Sequence, residues 1–227
     1  MMLERVSTGL KELDDLIEGG FPVNTTVLVS GDAGTGKTLL ALNFLKEGVV
    51  NGEKCCYVSL NESKEEILKA CSTIKSLKVL ERYLDKNFAI IHIDMSEKNL
   101  DIENFAKLIS KYPKLDRIVI DNINKLLIFA KDNREYRINL SKILRHLKEK
   151  VRCSMILCET DNGIDSGNGE SFECDSVIKL SFIEFGEEPL RTLGIYKVRY
   201  TSFKPRISYE LVIDKEGIKL GRHKVLS

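Results

Sequence analysis

The chain has 227 residues, 43% of them hydrophobic, and a formal net charge of +1 from 35 Lys+Arg against 34 Asp+Glu. That length suffices for one domain of ordinary to large size, burying about 70% of the surface its unfolded chain exposes. The balanced charge supplies no global field for holding nucleic acid or an anionic membrane. No apolar run approaches the roughly 20 residues of a membrane span and nothing resembles a signal peptide, so a cytoplasmic location is expected.

Leu10, Leu13, Leu16 and Ile17 mark one face of a short first helix, which Gly19-Gly20 ends before Pro22. Strands are predicted at about 25–30, 54–60, 88–93, 117–121 and 152–158, with helices between them at about 37–51, 63–85 (broken), 101–112 and 134–150. Strands alternating with helices over short connections predict an α/β domain with a mostly parallel sheet flanked by helices. After residue 158 a Gly/Asn/Ser/Asp-rich loop runs from Thr160 to Phe172. Three strand-like runs follow at about 176–183, 191–201 and 207–213 with no helix between them, which predicts an antiparallel C-terminal extension. No linker or repeat divides the chain, so residues 1–227 read as one domain.

Gly31-Asp32-Ala33-Gly34-Thr35-Gly36-Lys37-Thr38 fits G-x-x-x-x-G-K-[ST] at every fixed position and sits between the apolar run Val27-Leu28-Val29 and the helical pattern that Leu39 opens. The glycines permit a tight turn that aims backbone N–H groups inward, and the following helix adds its positive end. Lys37 supplies a point charge for the β- and γ-phosphates of ATP, and the Thr38 hydroxyl is a ligand for Mg²⁺. Residues 31–39 are therefore the expected nucleotide-contacting stretch.

Ile118-Val119-Ile120-Asp121 is an apolar strand ending in a carboxylate, the position from which a P-loop domain holds Mg²⁺. A second strand end, Val58-Ser59-Leu60-Asn61-Glu62-Ser63, offers Glu62 as the base that activates water. Ser63 and Glu66 are read as a capping box, which leaves Asn61 and Glu62 on the nucleotide side. The alternative reading of Glu62, a carboxylate that merely favours the nearby helix N-terminus, stays open. Lys197 and Arg199 alternate on a predicted strand, on one face with Leu193 and Ile195, and read from the residues alone as a solvated basic strand face. The six cysteines (55, 56, 71, 153, 158 and 174) form no C-x-x-C pair and read as buried thiols of a reducing compartment.

Arg5-Val6-Ser7-Thr8-Gly9-Leu10 with Leu13-Asp14, then Glu18-Gly19-Gly20-Phe21-Pro22, the P-loop, and the tail Arg191-Thr192-Leu193-Gly194-Ile195-Tyr196-Lys197-Val198-Arg199 together resemble the KaiC-like branch of the RecA/RadA ATPase superfamily. The resemblance covers almost the whole chain, about one KaiC-type domain. It implies a RecA-like fold, ATP with Mg²⁺, and a homo-oligomer, a hexameric ring with nucleotide between subunits. It further implies that Lys197 and Arg199 reach the γ-phosphate of a neighbouring subunit's ATP. Members of the family typically carry two adjacent glutamates where this chain has Asn61-Glu62; an amide cannot accept a proton from water, so hydrolysis would either rest on Glu62 or be very slow.

The resemblance places the segment Thr160 to Asp175 where recombinases of the superfamily meet DNA. Here it carries Asp161, Asp165, Glu170, Glu173 and Asp175 without a Lys or Arg, which speaks against gripping a phosphate backbone. Three functions follow in order: a KaiC-type ATPase with slow turnover, a nucleotide-sensing regulator with little or none, and a RadA-like DNA recombination accessory.

Overall fold

The computed structural model describes residues 3–94, 115–185 and 188–225. Its elements in chain order are β1 (Arg5–Val6), α1 (Lys11–Leu16), β2 (Phe21–Pro22), β3 (Thr25–Gly31), α2 (Lys37–Val50), β4 (Cys55–Ser59), α3 (Lys64–Thr73), α4 (Val79–Tyr83), β5 (Phe88–His92) and β6 (Arg117–Asp121). A 3₁₀ helix (Ile123–Phe129) then leads to α5 (Asn133–Lys150), β7 (Cys153–Glu159), α6 (Glu170–Glu173), β8 (Ser176–Phe185), β9 (Glu188–Val198), β10 (Ser208–Ile213) and β11 (Ile218–Val225). The helix expected over 101–112 lies outside the described residues.

β3 through β11 form one sheet in the order β11-β10-β9-β8-β3-β7-β6-β4-β5, while β1 and β2 pair separately. The pairs β8·β3, β3·β7, β7·β6, β6·β4 and β4·β5 are parallel. β9 is antiparallel to β8, and β10 and β11 continue that sense. The antiparallel extension predicted from residue 176 thus begins one strand later. β8 belongs to the parallel core because the 160–173 segment carries the chain back across the sheet, and β11 adds a strand that the sequence reading does not contain.

Strand alternation divides the core between two faces. Val27 and Val29 of β3, Tyr57 of β4, Val119 of β6 and Leu157 of β7 pack on the side covered by Leu42, Phe44 and Leu45 of α2. Leu28, Val58, Ile118, Ile120 and Ile156 face Leu140, Ile143, Leu144 and Leu147 of α5 on the other side. Both faces being covered explains why these strands read as continuous apolar runs.

A buried cation fastens α2 to the sheet. Arg117, 2% exposed at the start of β6, donates to the carbonyls of Ser7 (2.7 Å) and Phe44 (2.9 Å) and pairs with Glu53. Its guanidinium lies 4.6 Å from the centre of the Phe44 ring. The approach is close enough that a Cβ on Gly48 would sit 2.7 Å from Arg117 Nε and 2.6 Å from Cys55 Sγ, so only glycine fits that position of α2. Arg117→Leu removes the buried partner of the Glu53 carboxylate, leaving it only Arg152 at 3.4 Å, and a donor to two carbonyls, and the expected loss is about 3–5 kcal/mol in urea unfolding. A loss below about 1 kcal/mol would show that this cluster does not hold α2 in place.

Candidate nucleotide site

β3 delivers the P-loop at the carboxyl edge of the parallel strands. Gly31 packs so tightly that a Cβ there would lie 2.5 Å from the Leu180 carbonyl, and Gly34 (φ +78°) and Gly36 (φ +102°) hold left-handed backbone that other residues resist. Gly36 is the N-cap of α2, a 14-residue helix, and no side chain caps it. The free N–H groups of that first turn, with the glycine loop before them, make an anion cradle. The side of Ile213, at the end of β10, packs over Gly36 so closely that a Cβ would meet its Cδ1 at 2.5 Å; the sequence gives no signal for this contact.

Lys37 folds back over the loop, donating to the carbonyls of Gly31 (2.7 Å) and Asp32 (2.8 Å). Burial pulls its pKa below the ordinary lysine value, against the opposing charges of Glu159 and Asp121. Asp32 turns its carboxylate away from Lys37: Oδ1 accepts from Thr160 Oγ1 and from the Asn162 amide, both at 2.9 Å. The Asn162 bond heads the causes that keep Asp32 below the usual carboxylate range.

Thr38 and Asp121, predicted as metal ligands, meet: Thr38 Oγ1 donates to Asp121 Oδ2 at 3.2 Å, and the buried Tyr57 hydroxyl donates to the same oxygen. Ile120 pairs with Ile156 while Gly31 pairs with Glu159, so Asp121 stands level with Val29 and is recessed below the loop. Burial raises its pKa, and the Tyr57 and Thr38 hydrogen bonds act to lower it. A hydroxyl and a carboxylate side by side are hard oxygen donors of the kind Mg²⁺ takes. The described residues hold no group of three or more His, Cys, Asp or Glu fit for a metal.

Glu62 and Asn61 follow β4 directly. Ser59 Oγ accepts from the Glu62 amide at 2.9 Å and donates to the Glu62 carbonyl at 2.6 Å, fixing the turn, while Ser63 and Glu66 form the predicted capping box on α3. Burial, then the charge of Asp121, raises the Glu62 pKa, so the carboxyl is tuned upward as a proton acceptor would need. Asn61 is exposed beside it.

One acid on this edge carries no sequence motif. Glu159 ends β7 opposite Gly31, and its charge acts on both Lys37 and Asp121. Asn122 Nδ2 donates to its carboxylate at 3.3 Å, and Asn124 brackets its backbone at 2.8 and 3.1 Å. Its signal is positional: it comes directly after the strand predicted at about 152–158 and proves to be that strand's last residue.

Lys197 and Arg199 are not brought to this site. Lys197 pairs with Val177, which stands level with Leu28, three residues before Gly31. At roughly 3.3 Å per residue that is about 10 Å below the loop. A bulge also changes the expected face. Val177 pairs with Lys197 but Ile178 with Ile195, leaving Tyr196 as the extra residue. Leu193, Ile195 and Val198 consequently share the α2 side, Tyr196 packs on the α5 side, and the Lys197 ammonium reaches the carbonyls of Ser171, Phe172 and Cys174 at 2.5–3.5 Å. Lys197 therefore does not share the face of Leu193 and Ile195.

The acidic segment is also unlike its composition. Glu170 is fully buried, accepting from Tyr136 (2.8 Å) and Ser166 (2.6 Å). Asp175 pairs with Lys148 (2.7 Å) and Arg199 (3.3 Å), and Glu173 with Arg137 (3.4 Å). Cations elsewhere in the chain neutralise much of the charge that a count over 160–175 assigns to a solvated loop.

A P-loop at a strand–helix junction, a hydroxyl–carboxylate pair behind it and an uncapped helix above define a nucleotide-binding ATPase domain of RecA-like fold. The particular family follows from comparison: a family model described as "ATPase: KaiC" matches residues 6–225, and the chain belongs to that family. It is 27% identical to the circadian clock protein KaiC3 of Synechocystis sp. over 96% of this chain but 44% of that protein, so it spans less than half the length of that relative. A UPF0273 protein of Thermotoga maritima is 28% identical with 90% of this chain and 91% of its own length covered. The crystal structure of a KaiC-like protein from the hyperthermophilic archaeon Pyrococcus horikoshii OT3 superposes with a TM-score of 0.82 at 28% identity, covering 96% of this chain and 99% of the other.

The Tyr57–Asp121 contact gives a test of the electrostatics. A donor stabilises the charged carboxylate, so Tyr57→Phe should move the Asp121 titration midpoint further up in carbon-detected NMR. A midpoint that stays put or falls would show that Tyr57 does not govern this carboxyl.

Proposed function

We propose that this chain is a single-domain, cytoplasmic Mg-ATP-dependent ATPase of KaiC type that works as a homo-oligomer, a hexameric ring by family likeness, and hydrolyses ATP slowly to drive a conformational change. The observation that carries the reading is the arrangement of Lys37, Thr38 and Asp121 under the uncapped start of α2. Backbone N–H groups of residues 31–38 bind the phosphates, Lys37 exchanges its two loop carbonyls for phosphate oxygens, and Thr38 with Asp121 would hold Mg²⁺. When bound, Mg²⁺ supplies charge neutralisation across the β- and γ-phosphates. Six buried cysteines with no disulfide among them suit a reducing compartment.

Glu62 is the base assigned to the attacking water: it is a half-buried carboxyl directly after β4, the strand paired with the one that ends in Asp121, and burial with the Asp121 charge raises its pKa in the direction a proton acceptor needs. Lys197 and Arg199 stand too low on the sheet to serve the chain's own P-loop, which supports a role on a neighbour's nucleotide. Asn61 favours a second reading, a nucleotide-sensing regulator with little or no turnover, because an amide stands where relatives of this type carry a first glutamate.

Lys37→Ala should abolish ATP binding or weaken it at least about 100-fold in equilibrium titration while leaving the fold intact. Equal affinity in the variant would end the P-loop reading. Thr38→Ala and Asp121→Asn should weaken its Mg²⁺ dependence.

Phosphate release separates the two functional readings. Glu62→Gln should remove the parent's hydrolysis and Asn61→Glu should raise it; a parent rate near zero that Asn61→Glu does not lift would select the sensing reading. Lys197→Ala/Arg199→Ala should slow hydrolysis by up to about 10³-fold with ATP binding retained. Mixing that chain with Lys37→Ala should restore activity that neither has alone. No recovery, in mixed assemblies verified by mass, would place the pair outside the neighbour's site.

A further inference from the structure

A carboxylate inside a phosphate loop is a physical anomaly. Asp32 stands between Gly31 and Gly34, where a triphosphate brings several negative charges, and like charges at such range repel. The side chain instead spends its Oδ1 on a distant segment, accepting from Thr160 Oγ1 and the Asn162 amide at 2.9 Å each. Lys179 adds a third tie, donating to the Asn162 carbonyl at 2.7 Å.

The segment that begins at this clamp ends at a second one. Asp165 accepts from the Ser171 amide at 3.0 Å and from its hydroxyl, Ser166 donates to the buried Glu170, and the short helix α6 closes the stretch. Its last carbonyls, those of Ser171, Phe172 and Cys174, are held by the Lys197 ammonium. Residues 160–174 are thus tied at one end to the chain's own P-loop and at the other to the lysine assigned above to the neighbour's ATP. Lys197 cannot reach outward while it holds those carbonyls.

We infer that Asp32 is a positioning residue that couples nucleotide state in a subunit's own P-loop to the release of that subunit's Lys197 toward the next subunit. ATP acts at Asp32 in two ways. Its γ-phosphate repels the carboxylate, and it draws the Lys37 ammonium off the Asp32 carbonyl, where it now sits at 2.8 Å. Both loosen the hold on Thr160 and Asn162, the internal bonds of 160–174 shift together, and the three carbonyls give up Lys197. ADP lacks the γ-phosphate charge and disturbs the clamp less. Sites around a ring would then fire in order rather than independently. The inference rests on the proposed ATP site and on the proposed cross-subunit role of Lys197.

Hydrogen–deuterium exchange read by mass spectrometry on the full chain tests it, with ATP and ADP binding measured on the same samples by calorimetry. In the parent, Mg-ATP should speed exchange over 160–163 at least about ten-fold relative to Mg-ADP. Asp32→Ala should give that fast exchange without nucleotide and show no further response. Asp32→Asn keeps the accepting oxygen and loses the charge, so it should match the parent without nucleotide and respond weakly to ATP. Lys197→Ala should speed exchange over 171–174 without nucleotide. Unchanged nucleotide-free exchange in Asp32→Ala, or a full ATP response in Asp32→Asn, overturns the inference. A parent that binds Mg-ATP with no change over 160–163 also overturns it and leaves the ATPase reading standing, whereas a parent that fails to bind Mg-ATP overturns that reading itself.

Discussion

Parallel pairing is the constraint from which the site follows. Because β3, β4, β6 and β7 run in one direction, their last residues, Gly31, Ser59, Asp121 and Glu159, fall on one edge of the sheet. The register then sets depth. Gly31 and Glu159 stand at the rim, whereas Asp121 and Ser59 pair with each other and lie level with Val29, two residues lower. A carboxylate at that depth is costly to charge unless it is supplied with donors, and Tyr57 and Thr38 supply them. The same recess explains why Thr38, facing into the sheet from the first turn of α2, meets Asp121, while Lys37 lies over the rim.

The antiparallel side of the sheet does different work. β9 is held to β8 over its whole length, yet one extra residue at Tyr196 reverses which side chains face which layer. Without that bulge Lys197 would lie with Ile195 against the α2 layer, where an ammonium has no acceptor. With it the ammonium finds three carbonyls at the end of α6, and Arg199 finds Asp175. A single insertion in a strand thereby gives both cations partners within the chain.

What was legible in the sequence depended on the range of the forces involved. The strand–turn–helix of residues 25–50 is local: apolar alternation, glycine conformational freedom and helix periodicity act within a few residues, and Gly31 to Leu39 lie as the pattern requires. The Asp121 position was readable because a buried parallel strand announces itself as Ile118-Val119-Ile120. Glu159 ends an equally clear strand, Met155-Ile156-Leu157, but only its pairing with Gly31 brings it to the loop. The Tyr196 bulge, the burial of Glu170 and the Lys148–Asp175 pair are set by contacts distant in sequence, which composition and spacing do not carry. For the same reason five acids counted along 160–175 overstate the field of that segment.

The structure separates two demands that a motif reading merges. The groups proposed to grip a triphosphate lie on one strand–turn–helix and the strands beside it. The groups assigned to turnover are scattered: Glu62 follows β4, Lys197 lies at the lower end of β9, about 10 Å from the loop at the rise of a strand, and Arg199 comes just after that strand. The P-loop is thus set by local chain geometry, whereas the positions of Glu62, Lys197 and Arg199, the groups proposed for turnover, depend on pairing between strands distant in sequence. Where the two cations stand is decided by the register of β9 on β8, independent of the local geometry that shapes the P-loop.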